Sequence, residues 1–113
     1  MLNQVILVGR LAREVETKEL EGGKKKAYIT LACPRSYKNA DGLYDTDFID
    51  ITLWDGIATN TAEYCHKGDI IGIKGRLQTS TYEKEDGTKE YKKEIVAEKV
   101  TFLSSKKASE EDE

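Results

Sequence analysis

The chain has 113 residues, 35% of them charged, and a formal net charge of -3 at pH 7. That length fits one domain with a single modest core. No apolar run approaches the roughly 20 residues of a membrane-spanning helix, and the opening residues lack the pattern of a secretion signal, so we expect a cytoplasmic protein. Most of the acidic excess lies in residues 104–113. Any nucleic-acid surface must therefore be a local basic patch on a nearly neutral domain.

Hydrophobic periodicity predicts five short strands. In the first, Gly9 interrupts an aliphatic run, which indicates a bulge or a close approach of two backbones. Pro34, the only proline, is expected to stop the second strand from continuing as a central one. Asp-Gly pairs at residues 41–42 and 86–87 predict turns. The strands are predicted, in chain order, at residues 3–11, 26–33, 47–54, 69–78 and 96–103.

A short helix is predicted between the third and fourth strands. Asp55 is expected to cap it by accepting hydrogen bonds from its first backbone N–H groups. The helix is predicted from Ile57 to His66, and Gly68 is expected to end it. In the fourth strand, alternation places Leu77 on the inner face together with Ile71 and Ile73. The outer face of that strand then carries Lys74, Arg76 and Gln78.

These elements together predict an all-β fold, a five-stranded OB-fold barrel with one short helix between strands 3 and 4 and an extended β-hairpin. The position of the helix is the most diagnostic feature, because it closes one end of the barrel. Residues 1–103 are expected to form this domain, and residues 104–113 a short disordered acidic tail without an apolar anchor. Cys33 and Cys65 lack metal or disulfide spacing and are interpreted as core residues.

The segment from Asp47 to Trp54 carries an unusual pair of aromatic side chains. Alternation places Ile49, Ile51 and Leu53 on the core face, and Phe48 and Trp54 on the other face with Asp50 and Thr52. Exposed aromatic faces beside basic residues suit single-stranded nucleic acid, because every base can stack on them. The segment alone is equally consistent with Phe48 and Trp54 closing a second sheet or a subunit contact.

An ordered set of segments resembles the bacterial single-stranded DNA-binding protein family. Residues 3–11 (NQVILVGRL) are similar to the first strand of that family, and Asp47-Phe48-Ile49 with Leu53-Trp54 to its third. Further similar segments are Thr30-Leu31-Ala32, residues 63–69 (EYCHKGD), residues 75–79 (GRLQT), Asp86-Gly87 and residues 94–98 (EIVAE). The resemblance covers residues 1 to 103 in unbroken order, and it is the ordered set that makes it specific.

The resemblance implies that DNA bases stack on aromatic residues at four positions. It gives no such support to Tyr28, Tyr44, Tyr64 or Tyr91. Phosphate contacts are expected from basic residues near the aromatics, with Arg35 and Arg76 the strongest candidates. The implied stacking residues are Tyr37, Phe48, Trp54 and Tyr82. The candidate phosphate contacts are Arg10, Arg35, Lys38, Lys67, Lys74 and Arg76.

The resemblance further implies a homotetramer that coats and protects single-stranded DNA without sequence preference, in replication, recombination, repair or DNA uptake, at the nucleoid. The chain departs from the family pattern in two places. The start of the hairpin arm, residues 78–82, lacks the basic residues of many relatives. The tail ends in four acidic residues without the terminal proline and phenylalanine through which many relatives recruit partners, so tail-dependent partners are not expected.

Two other classes of function are alternatives to DNA binding. The chain has a single histidine, His66, and no nucleophile, nucleotide-loop or zinc motif, so neither catalysis nor a cofactor is expected. Asp41, Asp45, Asp47 and Asp50 lack the order of a calcium loop, and turns and strand edges account for them. The remaining alternative is an OB-fold replication accessory or a module that binds RNA or protein.

Overall fold

The computed structural model describes residues 1–105 of the chain. Within these residues, six strands and one helix follow each other, with a single 3₁₀ turn at Glu21–Gly23 between the second and third strands. No helix in the described part is long and apolar enough to cross a membrane. The strands are β1 (Val5–Leu11), β2 (Glu16–Glu19), β3 (Lys25–Lys38), β4 (Tyr44–Trp54), β5 (Ile70–Glu83) and β6 (Lys89–Ser104), and the helix is α1 (Asp55–Tyr64).

Five of the strands close into a barrel. They are hydrogen-bonded in the order β1-β5-β6-β4-β3, and β1 pairs with β3 to complete the ring. The β4–β6 contact is the only parallel pairing described, and it joins Ile51 to Ile95 and Thr52 to Val96. The helix lies between β4 and β5, which are the third and fourth predicted strands. The prediction of a five-stranded OB-fold barrel with one helix is confirmed.

Strand β2 was not predicted. It pairs with β3 outside the barrel ring, and its four residues are all exposed. Its sequence, Glu-Thr-Lys-Glu, offers no apolar alternation, so sequence periodicity cannot detect it.

The core lies inside the barrel and under one face of α1. Aliphatic side chains from all five barrel strands fill it, and α1 adds Ala58 and Thr61. Cys65 is buried as predicted, whereas Cys33 is half-buried at the edge of the cluster. The fully buried large side chains include Leu11, Ile29, Leu31, Ile51, Leu53, Ile71 and Ile73.

Two glycines lie where strands of the barrel come closest together. A Cβ at Gly9 would approach within 2.8 Å of the Ala32 carbonyl oxygen, so the close approach predicted there is confirmed. A Cβ at Gly75 would lie 2.4 Å from the Val96 carbonyl oxygen, next to a shift of register between β5 and β6. Only glycine fits either position without moving a backbone.

Two pairs of strands continue beyond the barrel. Pro34 does not end β3, which runs on to Lys38, but in the described structure β4 is its only partner from that point. We call residues 34–38 and 44–46 the β3–β4 ribbon. On the other side, β5 pairs with β1 only as far as Gly75 and then continues with β6 as the predicted hairpin. The turn of this hairpin contains residues 86–87, as predicted, and the last predicted strand is the end of its second arm.

Leu77 is the inner-face residue that the prediction placed wrongly. By alternation it lies on the same face of β5 as Ile71 and Ile73, but its side chain is 44% exposed. The reason is that β5 has already left the barrel at this position, so no opposite wall covers the side chain.

The helix begins and ends earlier than predicted. Asp55 is its first residue, with a left-handed φ of 48°, and it does not cap the helix through its side chain. Its carboxylate instead accepts the backbone N–H of Lys25 at 3.1 Å, which ties the start of β3 to the end of β4. The helix ends at Tyr64, four residues before Gly68. Ser104, assigned to the tail from sequence, is the last residue of β6, and residues 106–113 lie outside the described part.

Candidate nucleic-acid interface

Phe48 lies on the outer face of the barrel with 67% of its surface exposed. The register of the sheet places Ala32 directly beside it on β3, and Arg10 beside Ala32 on β1. Phe48 and Arg10 line a shallow cleft of about 280 Å³ together with Lys67, from the loop after α1. The structure thus brings together one predicted stacking residue and two predicted phosphate contacts that are far apart in sequence.

Local hydrogen bonds position the two cations of this cleft. The Arg10 Nη1 atom donates to the Gly68 carbonyl oxygen at 2.6 Å, so the guanidinium also fastens β1 to the loop after α1. The backbone N–H of Lys67 donates to Glu14 Oε1 at 3.1 Å. Glu14 also lies 3.7 Å from His66 Nδ1. One carboxylate therefore stands close to the basic edge of the cleft and reduces its positive potential.

Trp54 lies six residues from Phe48 along the same face of β4. It is half-buried, and Lys26 is its direct neighbour on β3. The Lys26 Nζ atom lies 4.9 Å from the centroid of the Trp54 ring and 4.7 Å from that of Tyr28. A cation thus already occupies a position over the aromatic face of Trp54.

The face between Phe48 and Trp54 is only partly open. Asp50 is exposed and accepts a hydrogen bond from the Thr30 hydroxyl at 2.6 Å. Thr52 is only 2% exposed, because β6 covers it and its hydroxyl donates to the Glu94 carboxylate at 2.9 Å. The expectation of an exposed face is correct at Phe48 and Asp50 and wrong at Thr52. Alternation along one strand cannot reveal a neighbour as distant in sequence as β6.

The β3–β4 ribbon carries Tyr37, which is 64% exposed. Beside it, Arg35 makes a bidentate contact with Asp47, with Nη2 to Oδ1 at 3.0 Å, and lies 3.8 Å from Asp45. The hydrogen bond from Arg35 lowers the pKa of the Asp47 carboxyl, and the same bond raises the pKa of Arg35. A phosphate must therefore compete with carboxylates for Arg35. Lys38 is less engaged, with Nζ 5.8 Å from the Tyr44 ring centroid.

Strand β5 carries the remaining predicted residues, with Lys74 in the part that pairs with β1, and Arg76 and Tyr82 in the hairpin arm beyond it. Lys74 is exposed, and Arg76 is half-buried with Nη1 donating to Gln78 Oε1 at 2.6 Å. Farther along the arm, Tyr82 is exposed and its hydroxyl donates to the Glu90 carboxylate, which raises the pKa of Tyr82. The ring face of Tyr82 is available for stacking, while its hydroxyl is held by the opposite strand.

Sequence reasoning did not assign Lys26 or Tyr28 to this surface. Alternation with the buried residues Ile29 and Leu31 puts Tyr28 on the outer face of β3. The pairing of residue 26 with residue 54 is a property of sheet register, and nothing in the chain itself signals that Lys26 lies between two aromatic rings. The cluster is visible only once β3 and β4 are paired.

Hydrogen bonds and ion pairs within the fold engage the side chains of three of the four aspartates that were compared with a calcium loop, namely Asp45, Asp47 and Asp50. Asp47 and Asp45 contact Arg35, Asp45 also accepts the Asn39 side-chain amide at 3.1 Å, and Asp50 accepts from Thr30. Among residues 1–105, no group of three or more His, Cys, Asp or Glu side chains is arranged to hold a metal ion.

Comparison with known proteins identifies a single family. The profile of the Single-strand binding protein family matches residues 2–103. The chain is 44% identical over 106 residues to Single-stranded DNA-binding protein B of Bacillus subtilis, covering 94% of each chain. It is 38% identical over 107 residues to Single-stranded DNA-binding protein 1 of Clostridium acetobutylicum, covering 94% of this chain and 97% of that protein.

Some relatives are longer than this chain. The Single-stranded DNA-binding protein of Lactiplantibacillus plantarum is 41% identical over 110 residues, which are 97% of this chain and 55% of that protein. The similarity is therefore concentrated in the part that folds into the barrel and its hairpin. With a family profile that covers the whole barrel and relatives that match nearly end to end, this chain belongs to the single-strand binding protein family.

Proposed function

We propose that this protein binds single-stranded DNA without sequence preference and protects it. The bases stack on Tyr37, Phe48, Trp54 and Tyr82. The phosphates are held by Arg10, Arg35, Lys38, Lys67, Lys74 and Arg76. In this proposal residues 1–103 are the binding domain. Its role is passive, because it covers the strand and blocks reannealing and nucleases, in replication, recombination, repair or DNA uptake at the nucleoid.

The observation that carries the proposal is the exposed Phe48 ring in a cleft that two cations also line. Two thirds of the Phe48 surface is exposed to water, and a ligand or partner that covers this apolar ring lowers the free energy of the complex. Here Arg10 and Lys67 line the same cleft as the ring. A flat apolar face with positive charge at its edge matches one nucleotide, whose base is planar and whose phosphate is anionic.

The arrangement also explains why binding would not depend on the base sequence of the DNA. Stacking uses the π-face that all bases share, and each stacked base contributes about 1–3 kcal/mol. Each phosphate that a cation neutralises releases condensed counterions, so affinity falls with salt with a single-strand slope of about 0.7 per phosphate. Neither interaction requires a hydrogen bond to a base edge.

The decisive experiment is a fluorescence titration of the native protein with oligo-dT at two salt concentrations. Trp54 is the only tryptophan, so its emission reports on one proposed platform. We expect quenching that weakens as salt rises. An unchanged emission, together with no shift of the protein on a gel by oligo-dT, would overturn the proposal. A matched RNA oligomer in the same titration tests whether the surface discriminates DNA from RNA.

We also propose that the protein assembles as a homotetramer. Ile6 and Val8 of β1 are exposed aliphatic side chains on one face of a strand, and such a patch gains stability when a second subunit covers it. Light scattering at micromolar concentration should give four times the mass of the chain. A monomeric mass would refute the tetramer without affecting the proposed DNA surface.

A further inference from the structure

A lysine and two aromatic rings form a compact cluster where β3 begins and β4 ends. Lys26 Nζ lies within 5 Å of the ring centroids of both Tyr28 and Trp54. Lys26 is the direct cross-strand neighbour of Trp54, and Tyr28 is that of Thr52. Tyr28 and Trp54 therefore lie diagonally across adjacent strands on one face, a separation that aromatic side chains can span.

The backbone around this cluster is held in place. Asp55, which follows Trp54 directly, accepts the N–H of Lys25, which precedes Lys26. The carboxylate thus joins the two strands at the end where the cluster lies. The ladder pairs from Lys26–Trp54 to Ile29–Ile51 continue without a shift. The two rings are consequently presented from a fixed backbone rather than from a loop.

The electrostatic surroundings of Lys26 differ from those of Arg35. Arg35 is engaged by Asp47 and Asp45, whereas the described structure shows no ion pair for Lys26. Among the contacts of the described residues, its ammonium is held by the two π-faces alone, which is a weaker hold than a charge-assisted hydrogen bond to a carboxylate. An incoming phosphate can therefore bind the Lys26 ammonium at a lower cost in free energy than it can bind the Arg35 guanidinium.

The surface continues past Tyr28 onto β2. Lys18 lies directly beside Lys26 in the β2–β3 register. A cleft of about 500 Å³ adjoins Tyr28 on this side, lined by Lys26, Tyr28, Lys18 and Arg13 together with Glu14, Glu16 and Thr17. Tyr28 itself is 42% exposed, so a ligand that reaches Trp54 has an open path across its ring.

We propose that Tyr28 is a fifth stacking platform, that Lys26 binds the phosphate between the nucleotides on Tyr28 and Trp54, and that the bound strand continues over β3 toward β2. This inference rests on the proposed function and extends it to residues that the four-aromatic set does not include. When a base covers the rings, the flexible lysine stem moves the ammonium from the π-faces to the phosphate.

The test compares ring-keeping and ring-removing substitutions in the full chain. Tyr28→Leu keeps apolar bulk and removes the π-face, and we expect it to weaken oligo-dT binding about 5- to 150-fold. Tyr28→Phe keeps the ring and should bind like the native protein. Urea unfolding of both variants, followed by circular dichroism, separates a lost platform from a lost fold.

The role of Lys26 has its own readout. Lys26→Gln should lower the slope of log affinity against log salt by about 0.7, the value of one phosphate contact. Lys24→Gln removes an equal charge from the preceding turn and should leave the slope unchanged. Equal slopes for the two variants would refute the phosphate role of Lys26.

The outcomes separate this inference from the function on which it rests. If the native protein binds oligo-dT and Tyr28→Leu binds equally well, the Tyr28 platform is refuted and the proposed function stands. A Tyr28→Leu variant that is less stable yet binds normally would assign the cluster to packing alone. If the native protein does not bind oligo-dT, the proposed function itself is overturned.

Discussion

Strands β3 and β4 form two walls of the barrel and extend into the β3–β4 ribbon, yet different forces hold the two regions. Within the barrel, Ile29 and Ile51 face each other at full burial. Every side chain of the ribbon is exposed, and its described contacts include a two-stranded ladder, the Arg35 ion pairs and the Lys38–Tyr44 ring contact. Burial therefore fixes the barrel, whereas the ribbon gains little from it. We therefore expect that an exposed aromatic residue of the ribbon, such as Tyr37, can be exchanged without loss of the fold.

The largest effect that follows from this comparison concerns stability. Ile51→Ala should lower the free energy of unfolding by about 2–5 kcal/mol, because it leaves a cavity in the closed core. Tyr37→Ala on the ribbon should change it by no more than about 0.5 kcal/mol. Urea unfolding followed by circular dichroism measures both. Similar losses for the two variants would mean that the ribbon is as strongly integrated as the core.

The effect of a substitution on DNA binding should not depend on whether the residue lies on the barrel or on the ribbon. Phe48→Ala on the barrel and Tyr37→Ala on the ribbon should each weaken oligo-dT binding by about 1–3 kcal/mol, because each removes one stacking face. Phe48→Tyr, which keeps the ring, is the matched control. The Trp54 titration measures affinity in all three variants. A loss at Phe48 without one at Tyr37 would restrict the binding surface to the barrel.

The fold was predictable because the barrel strands alternate clearly and the helix lies between the third and fourth of them. The β2 strand was not, since its residues are all polar and its pairing depends on β3. Of the site, the outward position of Phe48 and Trp54 followed from alternation. The burial of Thr52 by β6 and the place of Lys26 over Trp54 depend on register between distant strands, which a single sequence does not contain.

A smaller effect on DNA binding concerns the ion pairs of Arg35 on the ribbon. Asp47→Asn should tighten oligo-dT binding about two- to five-fold, because it releases Arg35 from an exposed ion pair. The salt slope should rise by about 0.7 if Arg35 then gains a phosphate. Asp41→Asn, at the turn of the ribbon, removes the same charge without contacting Arg35. An equal gain in both variants would attribute the change to net charge alone.

The smallest effect is the pH dependence of the Arg35–Asp47 pair. Since the hydrogen bond from Arg35 lowers the pKa of Asp47 in the folded state, the unfolded chain binds more protons between the folded and unfolded pKa values. The contribution of the pair is thus present above the unfolded value, about 3.9, and is lost as pH falls through the folded value. Urea midpoints of the native protein and Asp47→Asn should therefore converge below about pH 4.

A difference between these two midpoints that stays constant down to pH 2 would contradict the pair as the source of stability. Because both side chains are exposed, water screens their attraction and the convergence is small. A convergence of the two urea midpoints would nevertheless show that an ion pair, and not burial, holds the ribbon beside the barrel. The same carboxylate would then both stabilise the ribbon and weaken its phosphate contact, so that one substitution trades stability of the ribbon against affinity for DNA.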